Sequence, residues 1–192
     1  MNDYLYRTFF TRFSELRTPR LVLRRLCDED LCAVNEYASR PEVSAYLGWA
    51  PHLNLQETKG YLEFLQKRYR KGLHSEWGIA LADSDKIIGT IGFTNVDITN
   101  ECCELGYVLS SDHWGKGYMD EAMDAVLCAT FEDLEANRVV LTILEDNLPS
   151  IRFATRNGFR MEGRELKALS VKGEYRTVCR MAMLRSEYME KK

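Results

Sequence analysis

The run Trp114-Gly115-Lys116-Gly117-Tyr118-Met119 constrains the fold more than any other stretch of the chain. Two glycines separated by one residue let the backbone pass through conformations that a β-carbon forbids. Ahead of the run, Glu104-Leu105-Gly106-Tyr107-Val108-Leu109 reads as a strand. Behind it, Met119, Met123, Val126, Thr130 and Leu134 fall on one helical stripe, with Asp120, Asp124 and Asp133 off it. Strand, glycine turn and helix together aim several unpaired backbone N–H groups and a positive helix end at one point, a ready site for phosphate. A plain tight turn uses the same residues, so the turn alone decides nothing.

A second segment adds to it: Asn147-Leu148-Pro149-Ser150, then Arg156-Asn157-Gly158-Phe159. Asn is a favoured N-cap, a Ser three positions on completes a helix start, and Asn157-Gly158 reads as the helix's left-handed C-cap. With Trp-Gly-Lys-Gly-Tyr and Glu121-Ala122, these residues make the chain resemble the GCN5-related N-acetyltransferases (GNAT). Within that superfamily it is most similar to the RimJ/RimL-like branch, which acetylates ribosomal-protein N-termini. The resemblance runs over about residues 18–184. It implies an α+β GNAT fold, a mixed, mostly antiparallel central sheet with helices on both faces, and acetyl-CoA as co-substrate.

The resemblance also implies roles. Trp114, Gly115, Lys116, Gly117, Tyr118 and Met119 form the pyrophosphate cradle, mainly through backbone, with Lys116 adding charge or pointing to solvent. Trp114 stands where the superfamily usually has Arg or Gln, and Met119 where it has a final Gly or Ala. The strand carrying Tyr107, Val108 and Leu109 parts from its neighbour and binds the pantetheine arm, and one N–H near Val108 or Leu109 polarises the thioester carbonyl. Orphaned strand donors need such a partner. Asn147 contacts the pantetheine. Ser150 lies near the sulfur in place of the Tyr general acid, whose position here holds Ala154. Glu104 is the candidate base, acting through a water; it shares a face with Gly106 and Val108 by strand alternation, as an ordinary exposed glutamate also would. Tyr46, Trp49 and His52 fall in the variable segment that covers the acceptor pocket in this superfamily. They are candidate acceptor contacts, or they pack that loop down. Thr177 stands where relatives commonly carry Asp.

Length and composition narrow the alternatives. A chain of 192 residues is most simply one domain with a real core. A net charge of −3 without a basic block gives no footprint for nucleic acid. No run is apolar and long enough to span a membrane, and the N-terminus lacks a secretory pattern. Six cysteines without a C-x-x-C pair, and three scattered histidines, exclude metal-ligand spacing and fit free thiols in a cytoplasmic protein. Cys102 and Cys103 have no basic neighbour to make an acetyl-accepting thiolate.

Taken in order, residues 1–17 place Tyr6, Phe9, Phe10, Phe13 and Leu16 near helical spacing, an amphipathic extension that docks on the domain, forms a dimer contact or touches a membrane surface. The domain proper, 18–192, opens with an alternating strand over 20–25. Helices follow at Leu31, Val34, Tyr37 and Ala38, stopped by Pro41, and over 56–71 with Tyr61, Phe64, Leu65 and Tyr69 as the apolar face. Strands are expected over 76–81, 87–93, 104–109 and 138–144, and a terminal hairpin over 159–170 and 174–184. The reading is an N-acetyltransferase that moves an acetyl group by direct attack in a ternary complex. Its acceptor is a protein or peptide α-amino group or a small amine such as a polyamine or aminoglycoside, and the protein is a cytoplasmic monomer or homodimer. The rival reading is a non-catalytic acyl-CoA-binding module. A nucleotide fold fits less well, because the third glycine of the dinucleotide fingerprint and the G-K-[ST] of a P-loop are both missing.

Overall fold

In the computed structural model, residues 3–73 and 75–191 are described, without the side chains of residues 3–5, 7 and 10. The elements follow in the order α1 Asp3–Arg12, β1 Glu15–Arg17, β2 Leu21–Arg24, α2 Leu31–Ala38, α3 Pro41–Ser44, α4 Leu55–Arg70, β3 Glu76–Leu81, β4 Ile87–Asp97, β5 Cys102–Leu109, α5 Tyr118–Cys128, β6 Arg138–Leu144, α6 Leu148–Arg156, β7 Arg160–Val171, β8 Glu174–Leu184 and α7 Arg185–Met189. The eight strands form one sheet in the order β1-β2-β3-β4-β5-β6-β8-β7. Every neighbouring pair is antiparallel except β5 and β6.

Strand alternation divides the core between the two faces. On one, Trp77, Ile79, Ile91, Phe93 and Leu105 pack with α1 and α5; on the other, Val22, Ala80 and Ile87 pack with α2 and α4. β6 is apolar on both faces because both are covered, so Val139, Val140, Leu141, Ile143 and Leu144 are all buried. The stripe of α5 holds its phase past the helix proper: Met119, Met123, Val126, Thr130 and Leu134 are all buried, although residues 129–133 widen into a π turn.

Three sequence expectations change. The N-terminal helix stops at Arg12, and Leu16 lies instead in β1, an edge strand paired to β2. Phe9 is 1% exposed against Trp77 and Phe93, and the Trp77 indole N–H donates to the Phe13 carbonyl at 2.8 Å. The Phe10 side chain lies outside the described residues. Pro41 does more than stop α2: it occupies the first turn of α3, where its missing N–H costs nothing. In α4 the inward positions are Thr58, Leu62 and Leu65, while Phe64 is 53% exposed. The apolar spacing misled because Leu62 and Phe64 differ by two positions and so face apart on a helix.

Candidate functional site

β5 and β6 pair only from Cys102 to Glu104 and from Arg138 to Val140. Beyond that, β5 stays on β4 to Leu109 and β6 stays on β8 to Leu144, so the two parallel strands part. A cavity of about 680 Å³ opens between them. Its sides are residues 105–109 and 141–144, the glycine turn and the start of α5 close one end, and Asn147, Ser150 and Phe153 of α6 line it.

The Ser110 N–H donates to Ile88 on β4 at 2.7 Å. Alternation therefore turns the Val108 N–H toward β4 as well, and the Tyr107 and Leu109 N–H groups toward the gap. Of the two sequence candidates for polarising a carbonyl, Leu109 has the open donor. The Trp114 indole N–H reaches the Leu109 carbonyl at 2.8 Å and so braces the strand end against the turn.

In that turn Gly115 and Gly117 have φ of +71° and +76°, the left-handed region that glycine alone enters without strain. Gly117 caps α5 without a side chain, leaving the first-turn N–H groups of the helix toward the groove. His113 lines the same groove, and its Nδ1 is buried without a hydrogen-bond partner among the described residues. A phosphate-bearing ligand fits this end: bare backbone donors, a helix N-terminus and an orphaned ring nitrogen converge on it.

Sequence reasoning missed Arg20 here. Its guanidinium donates to the Lys116 carbonyl at 3.0 Å, pairs with Glu121 at 2.6 Å and lies over the Tyr118 ring at 4.6 Å. An arginine in the bend just ahead of β2 gives no local sign that it braces a turn almost a hundred residues away.

At the other end, the Tyr107 hydroxyl and Ser150 Oγ are 2.7 Å apart. The Tyr107 ring rests on Phe153, with centroids 4.9 Å apart. Burial pushes the Tyr107 phenol up to about 12, against a smaller downward pull from Ser150, so it stays protonated at neutral pH. Asn147 is the N-cap, its Oδ1 accepting the Ser150 N–H at 3.2 Å.

The remaining candidates divide. Trp114, Gly115, Gly117, Tyr118, Met119 and Tyr46 line the groove, but Lys116 does not. Trp49 and His52 line a second cavity of about 530 Å³ on the other side of β5, under α2 and α4. Gly106, Tyr107 and Val108 border both cavities. Trp49 and His52 have ring centroids 5.3 Å apart, His52 Nδ1 is 2.9 Å from the Thr58 hydroxyl, and burial holds the imidazole below its ordinary pKa. Glu104 stands at the last paired position before the strands part. Its carboxylate accepts the Thr142 hydroxyl and lies 3.5 Å from Arg180, and it lines neither cavity. Among the described residues no cluster of His, Cys, Asp and Glu could hold a metal ion, and no helix is long and apolar enough to cross a membrane.

The sequence model of one protein family, described as an acetyltransferase (GNAT) domain, matches residues 20–160. The chain belongs to the GNAT family. It is similar to the "uncharacterized N-acetyltransferase p20" of Bacillus licheniformis, 31% identical with 90% of this chain and 97% of the relative covered. It is also similar to a spermidine N(1)-acetyltransferase of Vibrio cholerae, 23% identical over 90% of this chain and 97% of the relative. Among solved structures, RimL, a ribosomal L7/L12 alpha-N-protein acetyltransferase in complex with coenzyme A, has the same fold. The two match with a TM-score of 0.79 at 21% identity, covering 90% of this chain and 99% of RimL. This GNAT protein is an N-acetyltransferase.

Proposed function

We propose that this GNAT enzyme binds acetyl-CoA in the groove between β5 and β6 and acetylates a primary amine by direct attack. The observation that carries this reading is the Tyr107–Ser150 hydroxyl pair, set inside the gap where the strands part. The amine nitrogen attacks the thioester carbon, the Leu109 N–H stabilises the developing oxyanion, and the C–S bond breaks as the C–N bond forms. Ser150 gives its proton to the departing thiolate and is resupplied by the Tyr107 hydroxyl, which regains a proton, through water, from the second one the nitrogen loses as the amide forms. The ammonium proton leaves before attack, through a water, toward Glu104, whose side chain shares the second-cavity face of β5 with Gly106 and Val108. The sum is one amide, one thiol and one released proton. The acceptor is a protein or peptide α-amino group or a small amine; the named acceptors of similar proteins include both kinds.

The test is free-thiol release from acetyl-CoA with a panel of amines, run on the wild type and on Ser150→Ala and Tyr107→Phe. Loss of a positioned proton donor is expected to lower kcat about 100-fold in Ser150→Ala, and about tenfold in Tyr107→Phe, with the thermal shift by acetyl-CoA unchanged. Full turnover in Ser150→Ala rejects the assignment.

A further inference from the structure

The second cavity contains a carboxyl group that the mechanism above does not use. Glu76 is the first residue of β3, and its side chain points to the α2–α4 face because Trp77 points to the other. In the sheet it lies in one row with Gly92 and Gly106, since Glu76 pairs with Gly92 and Gly92 with Gly106. Two strand spacings, roughly 10 Å, separate its backbone from the strand that borders the groove. Neither intervening position carries a side chain. At Gly92 none fits: a β-carbon there lies 2.2 Å from the Glu76 Cα. The floor from Glu76 across Gly92 is therefore bare, and at Gly106 the Thr94 methyl borders it, 2.7 Å from where a β-carbon would lie.

The walls of this cavity are aromatic: Tyr37, Trp49, Tyr61 and Phe64 line it. Among the described residues no ion pair engages the Glu76 carboxyl. Burial raises its pKa, against downward pulls from the neighbouring Thr90 and Tyr61 hydroxyls and from Arg68. Next to it the Ser75 hydroxyl is buried without a hydrogen-bond partner among the described residues, because the nearby Tyr69 hydroxyl donates instead to the Glu76 carbonyl at 2.7 Å. The Glu76 carboxyl is held by neutral hydroxyls, with Arg68 also on the lining, and beside the orphaned Ser75 hydroxyl it can accept a further hydrogen bond from a cationic donor entering the cavity.

We propose that this cavity receives the acceptor, that Glu76 holds its ammonium group, and that the acceptor is a small primary amine with an apolar or aromatic body. The proposal rests on the acetyltransferase reading and deepens it. A volume of about 530 Å³ suits a small molecule. Aromatic faces hold both a cation and an apolar body. The low floor at Gly92, bordered by the Thr94 methyl at Gly106, lets the amine lie between Glu76 and the edge of β5 where the thioester is delivered.

The experiment is calorimetric titration of the coenzyme A-loaded protein with 2-phenylethylamine, and with 2-phenylethanol as its uncharged counterpart. In the wild type the amine is expected to bind at least tenfold more tightly than the alcohol. Glu76→Gln, which keeps the shape, is expected to erase that preference. Phe64→Ala, at an exposed position, is expected to weaken both ligands several-fold while the preference remains. Equal binding of the two probes to the wild type, absence of amine binding, or an unchanged preference in Glu76→Gln overturns the proposal. The coenzyme A thermal shift, measured on every variant, separates the two levels: a normal shift without amine preference removes only the acceptor assignment, whereas no shift in the wild type removes the parent reading.

Discussion

The groove between β5 and β6 and the aromatic cavity beneath α2 and α4 share three residues of β5 and little else. The groove presents backbone: parted strands, left-handed glycines and the open end of α5. The cavity presents side chains from α2, α4, β3 and β4, Glu76 and four aromatic rings among them. A backbone site tolerates change in most of the residues that form it, because any residue supplies the same N–H. A side-chain site changes its preference with each substitution. One sheet can therefore keep a single acyl donor while its acceptor is free to vary.

That contrast can be broken from the groove side first. Gly117→Val places a β-branched residue at φ +76°, where it is strained, and is expected to abolish the acetyl-CoA thermal shift. At about one hundred times the dissociation constant the wild-type shift corresponds to roughly 2.7 kcal/mol, a few degrees in Tm. Amine binding to the free protein should survive in the variant. A normal acetyl-CoA shift in Gly117→Val means that the turn is not the cradle.

Glu104 stands at the last paired position before β5 and β6 part, and its substitution gives the next largest effect. Glu104→Gln is expected to lower kcat about 100-fold if the carboxylate takes the acceptor's proton, with the KM for acetyl-CoA unchanged. If the pairs with Thr142 and Arg180 matter only for holding the strands at the point of divergence, the acetyl-CoA KM rises instead and kcat stays. Steady-state kinetics in both substrates distinguish the two outcomes.

The smallest effect sharpens the comparison from the cavity side. The Arg24 guanidinium bonds both oxygens of Asp30, at 2.8 and 2.9 Å, and so ties β2 to the turn that starts α2. Burial pushes the Asp30 carboxyl up, but Arg24 and the Cys27 backbone N–H outweigh it and hold the pKa below the ordinary value. Asp30→Asn should cost roughly 2 kcal/mol, a fall in Tm of about 4–8 °C, and should weaken amine binding more than coenzyme A binding. Because the folded pKa is depressed, the stabilisation is present above the unfolded value of about 3.9 and is lost as pH falls through the folded one. Thermal melts of the two proteins should therefore converge in strong acid. A gap that persists there assigns the loss to packing.

Much of this molecule was written locally. Strand alternation placed β2, β3, β4 and β6, and the 3.6-residue stripe of α5 held from Met119 to Leu134, because burying one face is what each element does in any fold. Two glycines in four residues marked the turn, and Asn147 with Ser150 marked the start of α6, because their backbone geometry admits few other residues. Leu16 and Phe64 were misplaced for the opposite reason: both fit a helical stripe, and only the neighbouring sheet decided that one is a strand residue and the other an exposed wall.

What no local pattern held is convergence. The Tyr107 hydroxyl meets Ser150 across 43 positions, Arg20 reaches the Lys116 carbonyl across 96, and Glu76 lines up with Gly92 and Gly106 through two strand registers. The sequence by itself determined the elements and the glycine turn, since those depend on periodicity and on backbone conformations that few residues allow, and its motifs carried the family resemblance that implies the donor. Only the tertiary structure decided which side chains face one another across the sheet, because strand register sets those distances and no residue's own neighbours encode it.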